Sequence, residues 1–281
     1  MSITTPIRSS LQAASASSSS PSSAAFGFWL TLPSSGLAKT ILHGSSGSST
    51  KFSWVLVDAE HGLISDYHYY ELNNAISSTN ASPIIRVPYA EEWMIKRALD
   101  AGAHGIMTPM CHTADDATNI VKYTRYPPQG TRGYGPMFAP HSLPGVNPGP
   151  EYDDNINDGV TVCVQIESRS GVENVEKIAA VEGIDVLFIG PFDLAKQMGV
   201  LRGSEEHESA IQRVLDAARK YGKIAAIFCT DGVDSRKRAE QGFHMISVTT
   251  DVNVIRGGML GELKVAVGEA GRGSGSGGSG Y

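Results

Sequence analysis

Two stretches decide the reading of this chain: Val162-Cys163-Val164-Gln165-Ile166-Glu167 and, further on, Val186-Leu187-Phe188-Ile189-Gly190-Pro191-Phe192-Asp193. Each is a short apolar run rich in β-branched and aromatic residues. Each ends abruptly in an acidic residue, the second after an intervening Gly-Pro. Runs of this kind read as buried parallel strands. A carboxylate just past the end of a buried strand is costly unless something pairs with it. Two of them, on successive strands with a helix between, could share one divalent cation. Equally, each could cap a helix or pair with a base, since acidic residues are common at helix starts. Spacing alone leaves both readings open.

Working outward, six further apolar runs recur along the chain. They fall at residues 27–32, 54–58, 83–87, 105–109, 224–228 and 245–248. Between them lie helix-like stretches. One opens after Pro33 and runs toward His43. Residues 65–76 form another, with Ser65 as its cap. A third covers residues 92–100 and ends at Gly102. Thr113 caps a fourth reaching about Tyr123, with Asp115 and Asp116 in its first turn. Residues 205–221 are clearly amphipathic, with Ile211, Val214, Leu215 and Ala218 on one face. Residues 231–241 end at Gly242, and Asp251 opens a last helix toward Val267. The rhythm breaks only over residues 126–158, which are rich in Pro, Gly and Asn. A loop that long in a compact domain is usually a lid, a site wall or an oligomer contact.

Eight strands alternating with helices predict an α/β chain folded as a (β/α)₈ TIM barrel. An open doubly wound sheet is the alternative, but no Gly-rich phosphate fingerprint follows the first strand. The barrel is expected over residues 26–268. Residues 1–25 read as a short N-terminal helix, residues 7–14 with Pro6 in its first turn, followed by a flexible Ser-rich segment. Residues 269–281 read as a flexible Gly/Ser tail.

Composition narrows the function. The net charge is −6, and no Lys/Arg run or aromatic RNA motif is present, so no nucleic-acid partner is expected. No apolar stretch approaches a membrane span, so no membrane partner is expected. Cys111, Cys163 and Cys229 are odd in number and lack metal-type spacing. They read as reduced thiols, two of them in the core. The first 26 residues lack acids, but Arg8 is their only basic residue. A mitochondrial transit peptide is thus a faint alternative to a cytoplasmic location.

In a barrel the site lies at the carboxyl ends of the strands. The second strand ends in Asp58-Ala59-Glu60-His61-Gly62, and the third carries Arg86 near its end. The fifth contributes Gln165 and Glu167, the sixth Gly190, Phe192 and Asp193. An arginine in an apolar strand needs an anion. His61 alone would more often be a surface histidine, and Trp29 is either core or pocket. Asp100, in a helix, reads on its own as a solvated helix-end acid. No lysine falls at the end of an assigned strand, and Lys223 begins the seventh, so Schiff-base chemistry is disfavoured.

The runs VDAEHG, IIRVP, IKRALDAGAHGIMTPM, RYPPQGTRGYG and VQIESRSGVENVEKIAAVEGIDVLFIGPFDLA, with the later TDG stretch, resemble the HpcH/HpaI aldolase family, the metal-dependent class II pyruvate aldolases. The resemblance covers about residues 26–267. It implies a (β/α)₈ barrel whose last helix is exchanged with a neighbouring subunit, in a homo-oligomer that is commonly a hexamer. It implies that Glu167 and Asp193 bind a divalent metal (Mg²⁺, Mn²⁺ or Co²⁺). It matches His61 to the catalytic base, Arg86 to the arginine that contacts the 2-oxo acid and its enolate, and Asp58 and Asp100 to acids that help arrange the site. Gln165, Gly190 and Trp29 match pocket positions, and the Phe192 and Asp193 amides would hold the substrate carboxylate. Oxygen donors without a nearby cysteine suit such metals better than structural zinc. The implied reaction is cleavage or formation of a 4-hydroxy-2-oxo acid through a metal-bound pyruvate enolate, with a small 2-oxo acid and an aldehyde as partners. Ser78-Thr79-Asn80 resembles an insertion, and residues 135–144 are richer in proline than is usual in the family. That segment leaves two alternatives open: an oxaloacetate decarboxylase, or an enolate-trapping enzyme like macrophomate synthase, a fungal relative. A third alternative is a non-catalytic binding barrel.

Overall fold

The computed structural model describes residues 3–16, 23–44 and 51–269. The expected serine tract and most of the Gly/Ser tail lie outside these residues. Helix α1 (Pro6–Ala16) precedes β1 (Ala25–Leu30), and α2 (Ser35–Gly44) leads to β2 (Trp54–Asp58). Then come α3 (Asp66–Ser77), β3 (Ser82–Arg86), α4 (Glu92–Asp100), β4 (Gly105–Thr108) and α5 (Ala114–Thr124). The stretch without a period is not bare loop. It carries a 3-10 turn at Ala139–Ser142 and two single-turn helices, α6 (Pro150–Asp153) and α7 (Ile156–Gly159). Strand β5 (Thr161–Gln165) comes next, and two short helices rather than one, α8 (Arg169–Glu173) and α9 (Val175–Ala179), return to β6 (Val186–Ile189). The chain closes with α10 (Pro191–Met198), α11 (Glu205–Lys220), β7 (Ile224–Phe228), α12 (Gly232–Gln241), β8 (Met245–Thr250) and α13 (Asp251–Ala266).

The strands pair in parallel in chain order, and β1 closes on β8, so the expected (β/α)₈ barrel is the fold. Two apolar layers result. Outward-facing strand residues such as Val55, Val57, Ile85, Ile106, Val162 and Leu187 pack under the helices. Inward-facing residues fill the barrel: Trp29, Trp54, Leu56, Ile84, Met107, Cys163, Phe188 and Met245. The two sets alternate along each strand because successive side chains point to opposite faces. Gly27 is required by this filling. A Cβ there would overlap the Trp54 indole, which donates to the Ala25 carbonyl at 2.9 Å.

Helix α1 plugs the amino-terminal end of the barrel. Ile7 and Leu11 belong to the inward-facing cluster, and Ile7 is fully buried. The Ile7 amide donates to Ser82 Oγ at the start of β3 (2.9 Å). Arg8 donates to the carbonyls of Gly159 (3.0 Å) and Val160 (2.8 Å) ahead of β5. The opposite rim, at the carboxyl ends of the strands, is not covered by this helix. All three cysteines are buried, one more than expected, and burial pushes the Cys111 thiol up to about 12. No helix among the described residues is long and apolar enough to cross a membrane.

Candidate active site

The site begins with a register. Asp58 ends β2 and Arg86 ends β3, and the two are direct partners across the parallel pair. Their side chains therefore meet. Asp58 Oδ1 accepts from Arg86 Nε at 2.9 Å, and Oδ2 from Nη2 at 2.7 Å. Both groups are almost fully buried. Asp58 Oδ1 also accepts the backbone N–H groups of Glu60 (3.1 Å) and His61 (3.2 Å), which folds the following turn over the pair. Burial alone opposes the guanidinium charge, but Asp58, Glu60 and Glu167 outweigh it and hold Arg86 protonated. Its plane lies over the Trp29 indole, 4.9 Å from the ring centre. Trp29 thus serves both readings: it packs edge-on against Phe188 and Phe228 and it lines the cavity.

With Nε and Nη2 held by Asp58, Arg86 Nη1 turns to the rest of the site. It lies 3.5 Å from Gln165 Oε1 and 3.0 Å from Glu60 Oε2. The Gln165 amide passes the orientation on, since Nε2 donates to Glu167 Oε2 at 2.8 Å. Glu167 Oε1 accepts the Met110 N–H at 3.0 Å. Met110, two residues past the end of β4, holds a left-handed backbone (φ 55°), a strained state for a side chain of that size. Gly190 is required here, because a Cβ would run into Glu167 Oε2. Burial first, and then the negative charge of Asp193, pushes the Glu167 carboxyl up to about 8.

Asp193 stands in the first turn of α10, which opens with Gly190-Pro191. A cavity of about 390 Å³ lies between these groups. Trp29, His61, Arg86, Gln165, Gly190, Pro191, Phe192, Asp193, Lys196 and Phe228 line it. The His61 side chain is 54% exposed, with Nε2 3.6 Å from Glu60 Oε1. The structure therefore gathers His61, Arg86, Asp58, Glu167, Asp193, Gln165, Gly190, Phe192 and Trp29 around one mouth.

Asp100 is the exception. Helix α4 runs back along β3, so its last residue reaches the rim where β4 begins. There Asp100 accepts from the buried Arg132 at 2.8 Å. Within one chain it anchors the long β4–β5 connection and is not a residue of this cavity.

Three residues of the site went unassigned in the sequence. Glu60 lies within the quoted acidic turn, yet nothing there marks it as the carboxylate beside both Arg86 and His61. Burial raises its carboxyl, against the lowering by Arg86 and His61. Lys196 lies three residues after Asp193 and so on the same side of α10, a helix the apolar pattern did not mark. Met110 contributes only its backbone, to which no side-chain pattern points.

The residues fit a divalent cation. Glu167 is a carboxylate nine-tenths or more buried, beside a second carboxylate, and a dication is what removes their mutual repulsion. Both donors are oxygen, as hard cations prefer. Among the described residues no three His, Cys, Asp or Glu side chains form a metal cage. Two carboxylates with substrate and water completing the shell is an ordinary Mg²⁺ arrangement.

Comparison with known proteins gives one consistent result. Residues 27–257 match the family described as HpcH/HpaI aldolase/citrate lyase. A hydroxypyruvate/pyruvate aldolase of Agrobacterium fabrum is 36% identical over 230 residues, 80% of this chain and 83% of that protein. The crystal structure of an HpcH/HpaI aldolase/citrate lyase family protein from Burkholderia cenocepacia J2315 superposes with a TM-score of 0.81 at 33% identity, over 92% of this chain and 99% of that one. That of macrophomate synthase gives 0.79 at 28% identity, over 97% and 93%.

Proposed function

The chain belongs to the HpcH/HpaI aldolase/citrate lyase family and is a carbon–carbon lyase of the aldolase kind, and from that premise we propose that it cleaves and forms 4-hydroxy-2-oxo acids by way of a pyruvate enolate. The observation that carries this reading is the placement of a buried carboxylate, Glu167, and an exposed one, Asp193, beside a guanidinium whose charge is held by Asp58. Glu167 and Asp193 would hold a divalent cation (Mg²⁺, Mn²⁺ or Co²⁺), which supplies Lewis-acid polarisation of the 2-oxo group. The start of α10, with the Asp193 amide in its first turn, favours the substrate carboxylate. Arg86 Nη1, fixed by the Asp58 clamp, stabilises the oxygen on which negative charge develops. His61, through a water, takes the proton of the C4 hydroxyl. The C3–C4 bond then breaks, its electrons remain on the three-carbon fragment as the enolate, and the aldehyde leaves. Returning the proton to C3 gives pyruvate. The half-exposed imidazole can reach a water at the cavity mouth and pass the proton through it.

Glu167→Gln tests the reading. It should remove lyase turnover by several orders of magnitude while far-UV circular dichroism stays as in the wild type. Full turnover in that variant would overturn the role given to Glu167. Lys196 is the amine on the cavity wall, so a Schiff-base aldolase predicts a borohydride-trapped pyruvate adduct. Our reading predicts inhibition by chelators and no adduct.

A second reading uses the same enolate: decarboxylation of oxaloacetate, with or without capture of the enolate by a second substrate. The likeness to macrophomate synthase favours keeping it in view. Membership in a lyase family sets aside the non-catalytic barrel. We also propose a homo-oligomer formed by exchange of α13. Its apolar residues Val254, Ile255, Met259, Leu260, Leu263 and Val265 are all exposed, and only Asp251 is buried.

A further inference from the structure

The turn after β4 grips the end of β5 at more than the Met110 amide. The ladder between the two strands ends with Thr108 opposite Val164. Beyond it, three successive residues of the turn still reach across. The Met110 N–H donates to Glu167 Oε1 at 3.0 Å. The Cys111 N–H donates to the Gln165 carbonyl at 3.1 Å. The His112 ring completes the set, with Nδ1 2.7 Å from Ser168 Oγ and 3.1 Å from Ser170 Oγ. Ser168 is fixed in its turn, because its Oγ accepts the Gly171 N–H at 3.1 Å and caps α8. A hydroxyl both donates and accepts, so Nδ1 bonds to it whichever ring nitrogen carries the proton.

The backbone of His112 is held as well. Its N–H donates to Asp116 Oδ2 at 3.1 Å, in the first turn of α5. Its carbonyl accepts from Asn174 Nδ2 at 3.0 Å, where α8 gives way to α9. The imidazole is thus a post set between two helix starts. Met110 beside it has the left-handed backbone, which persists only where its surroundings over-determine it. Cys111 and His112 supply that constraint. Without the His112 bond the turn relaxes and carries the Met110 N–H away, leaving a buried carboxylate oxygen short of a donor.

We propose that His112 is a positioning residue for Glu167: through Ser168 it holds the strained Met110 turn, and the Met110 N–H then keeps the carboxylate aimed at the divalent cation. His112 is not among the residues that line the cavity, so it acts through the turn and not by contact. This rests on the cation reading of Glu167 above and names what stands behind that carboxylate.

The test is a Mn²⁺ titration followed by electron paramagnetic resonance of the free ion, on the full chain, with the urea midpoint of each protein measured alongside. His112→Phe keeps a ring and removes Nδ1, and His112→Asn keeps a polar atom near the place of Nδ1. His112→Phe and Ser168→Ala should each weaken Mn²⁺ binding by about tenfold, the lower end of the usual effect of disturbing a ligand's support. The double variant should lose no more than the weaker single variant, because both changes break one bond. His112→Asn should recover most of the affinity. A purely structural role predicts lower urea midpoints with Mn²⁺ affinity unchanged, and that result overturns the inference, as does equal loss in His112→Phe and His112→Asn. If His112→Phe does not fold, Ser168→Ala decides, and unchanged affinity there overturns the inference. Glu167→Gln separates the two claims. Where the wild type binds Mn²⁺ and Glu167→Gln does not, the His112 and Ser168 results judge this inference alone. No binding by the wild type, or equal binding by Glu167→Gln, overturns the cation reading and this inference with it.

Discussion

Asp58 and Arg86 form an ion pair with almost no solvent around it, and its importance shows when one partner is taken away. The other charge is then left buried and alone, at a cost of about 3–5 kcal/mol. Asp58→Ala should therefore lower unfolding stability by that amount in urea titration, as well as activity. Replacing both, Asp58→Ala with Arg86→Met, should recover much of the stability and none of the turnover. If the single and double variants are equally unstable, the pair is not what holds the β2–β3 rim. Gly190→Ala is the companion prediction. Its methyl group would displace Glu167, so Mn²⁺ affinity measured by titration should fall about 10–100-fold, the usual effect of disturbing a ligand's support. At this scale much was legible. An arginine in an apolar strand demanded an anion, and register then supplied Asp58. Glu60 was not legible, because its proximity to Arg86 and His61 depends on a turn shaped by hydrogen bonds to Asp58.

Among the elements, α1 is the clearest case of a segment outside the repeat that the barrel still needs. Ile7→Ala should cost about 2–5 kcal/mol, as for other fully buried large-to-small changes; a change below about 0.5 kcal/mol in denaturant unfolding would mean the plug is dispensable. The same end of the barrel holds a pH sensor of stability. His104 Nδ1 lies 3.0 Å from Ser82 Oγ, and Nε2 lies 2.8 Å from the Ser142 carbonyl. The side chain thereby ties β3 to the long β4–β5 connection. Complete burial lowers its pKa from 6.5 to about 4, although the Ser142 bond works the other way. Between those values the unfolded chain binds the proton and the folded one does not. Stability from this group is therefore full above about pH 6.5 and is lost as pH falls toward 4. The difference amounts to about 3 kcal/mol. Urea midpoints at about pH 7.5 and about pH 5 should fall further apart in the wild type than in His104→Gln. Equal pH dependence in the two would contradict the assignment. Strands and long helices were readable from their apolar periods, and residues 7–14 from Pro6 and the pattern after it. Helix α10 was not. It is eight residues long and begins inside the Gly-Pro run that ends β6, so no full period develops. Helix α13 was readable from Asp251 onward, but its apolar residues are exposed in the single chain, and the proposed exchange is what would cover them. Leu260→Glu with Leu263→Glu should shift the mass seen by light scattering toward the monomer.

For the molecule as a whole, the closed barrel separates two tasks. The amino-terminal rim, with α1, His104 and the Asp100–Arg132 pair, holds the structure together. The opposite rim gathers the charged groups that the proposed chemistry uses. The barrel itself was legible because eight buried runs in order leave few alternatives. The placement of Asp100 was not, since only the return direction of α4 decides which rim it reaches. The most direct measurement of the central claim is oxaloacetate turnover by EDTA-stripped protein, alone and with Mg²⁺, Mn²⁺ or Co²⁺, with Glu167→Gln measured alongside. The account predicts that stripped protein is inactive, that metal restores pyruvate formation in the wild type, and that Glu167→Gln stays inactive at every metal concentration. Turnover that survives stripping, or that metal restores equally in both proteins, would contradict it.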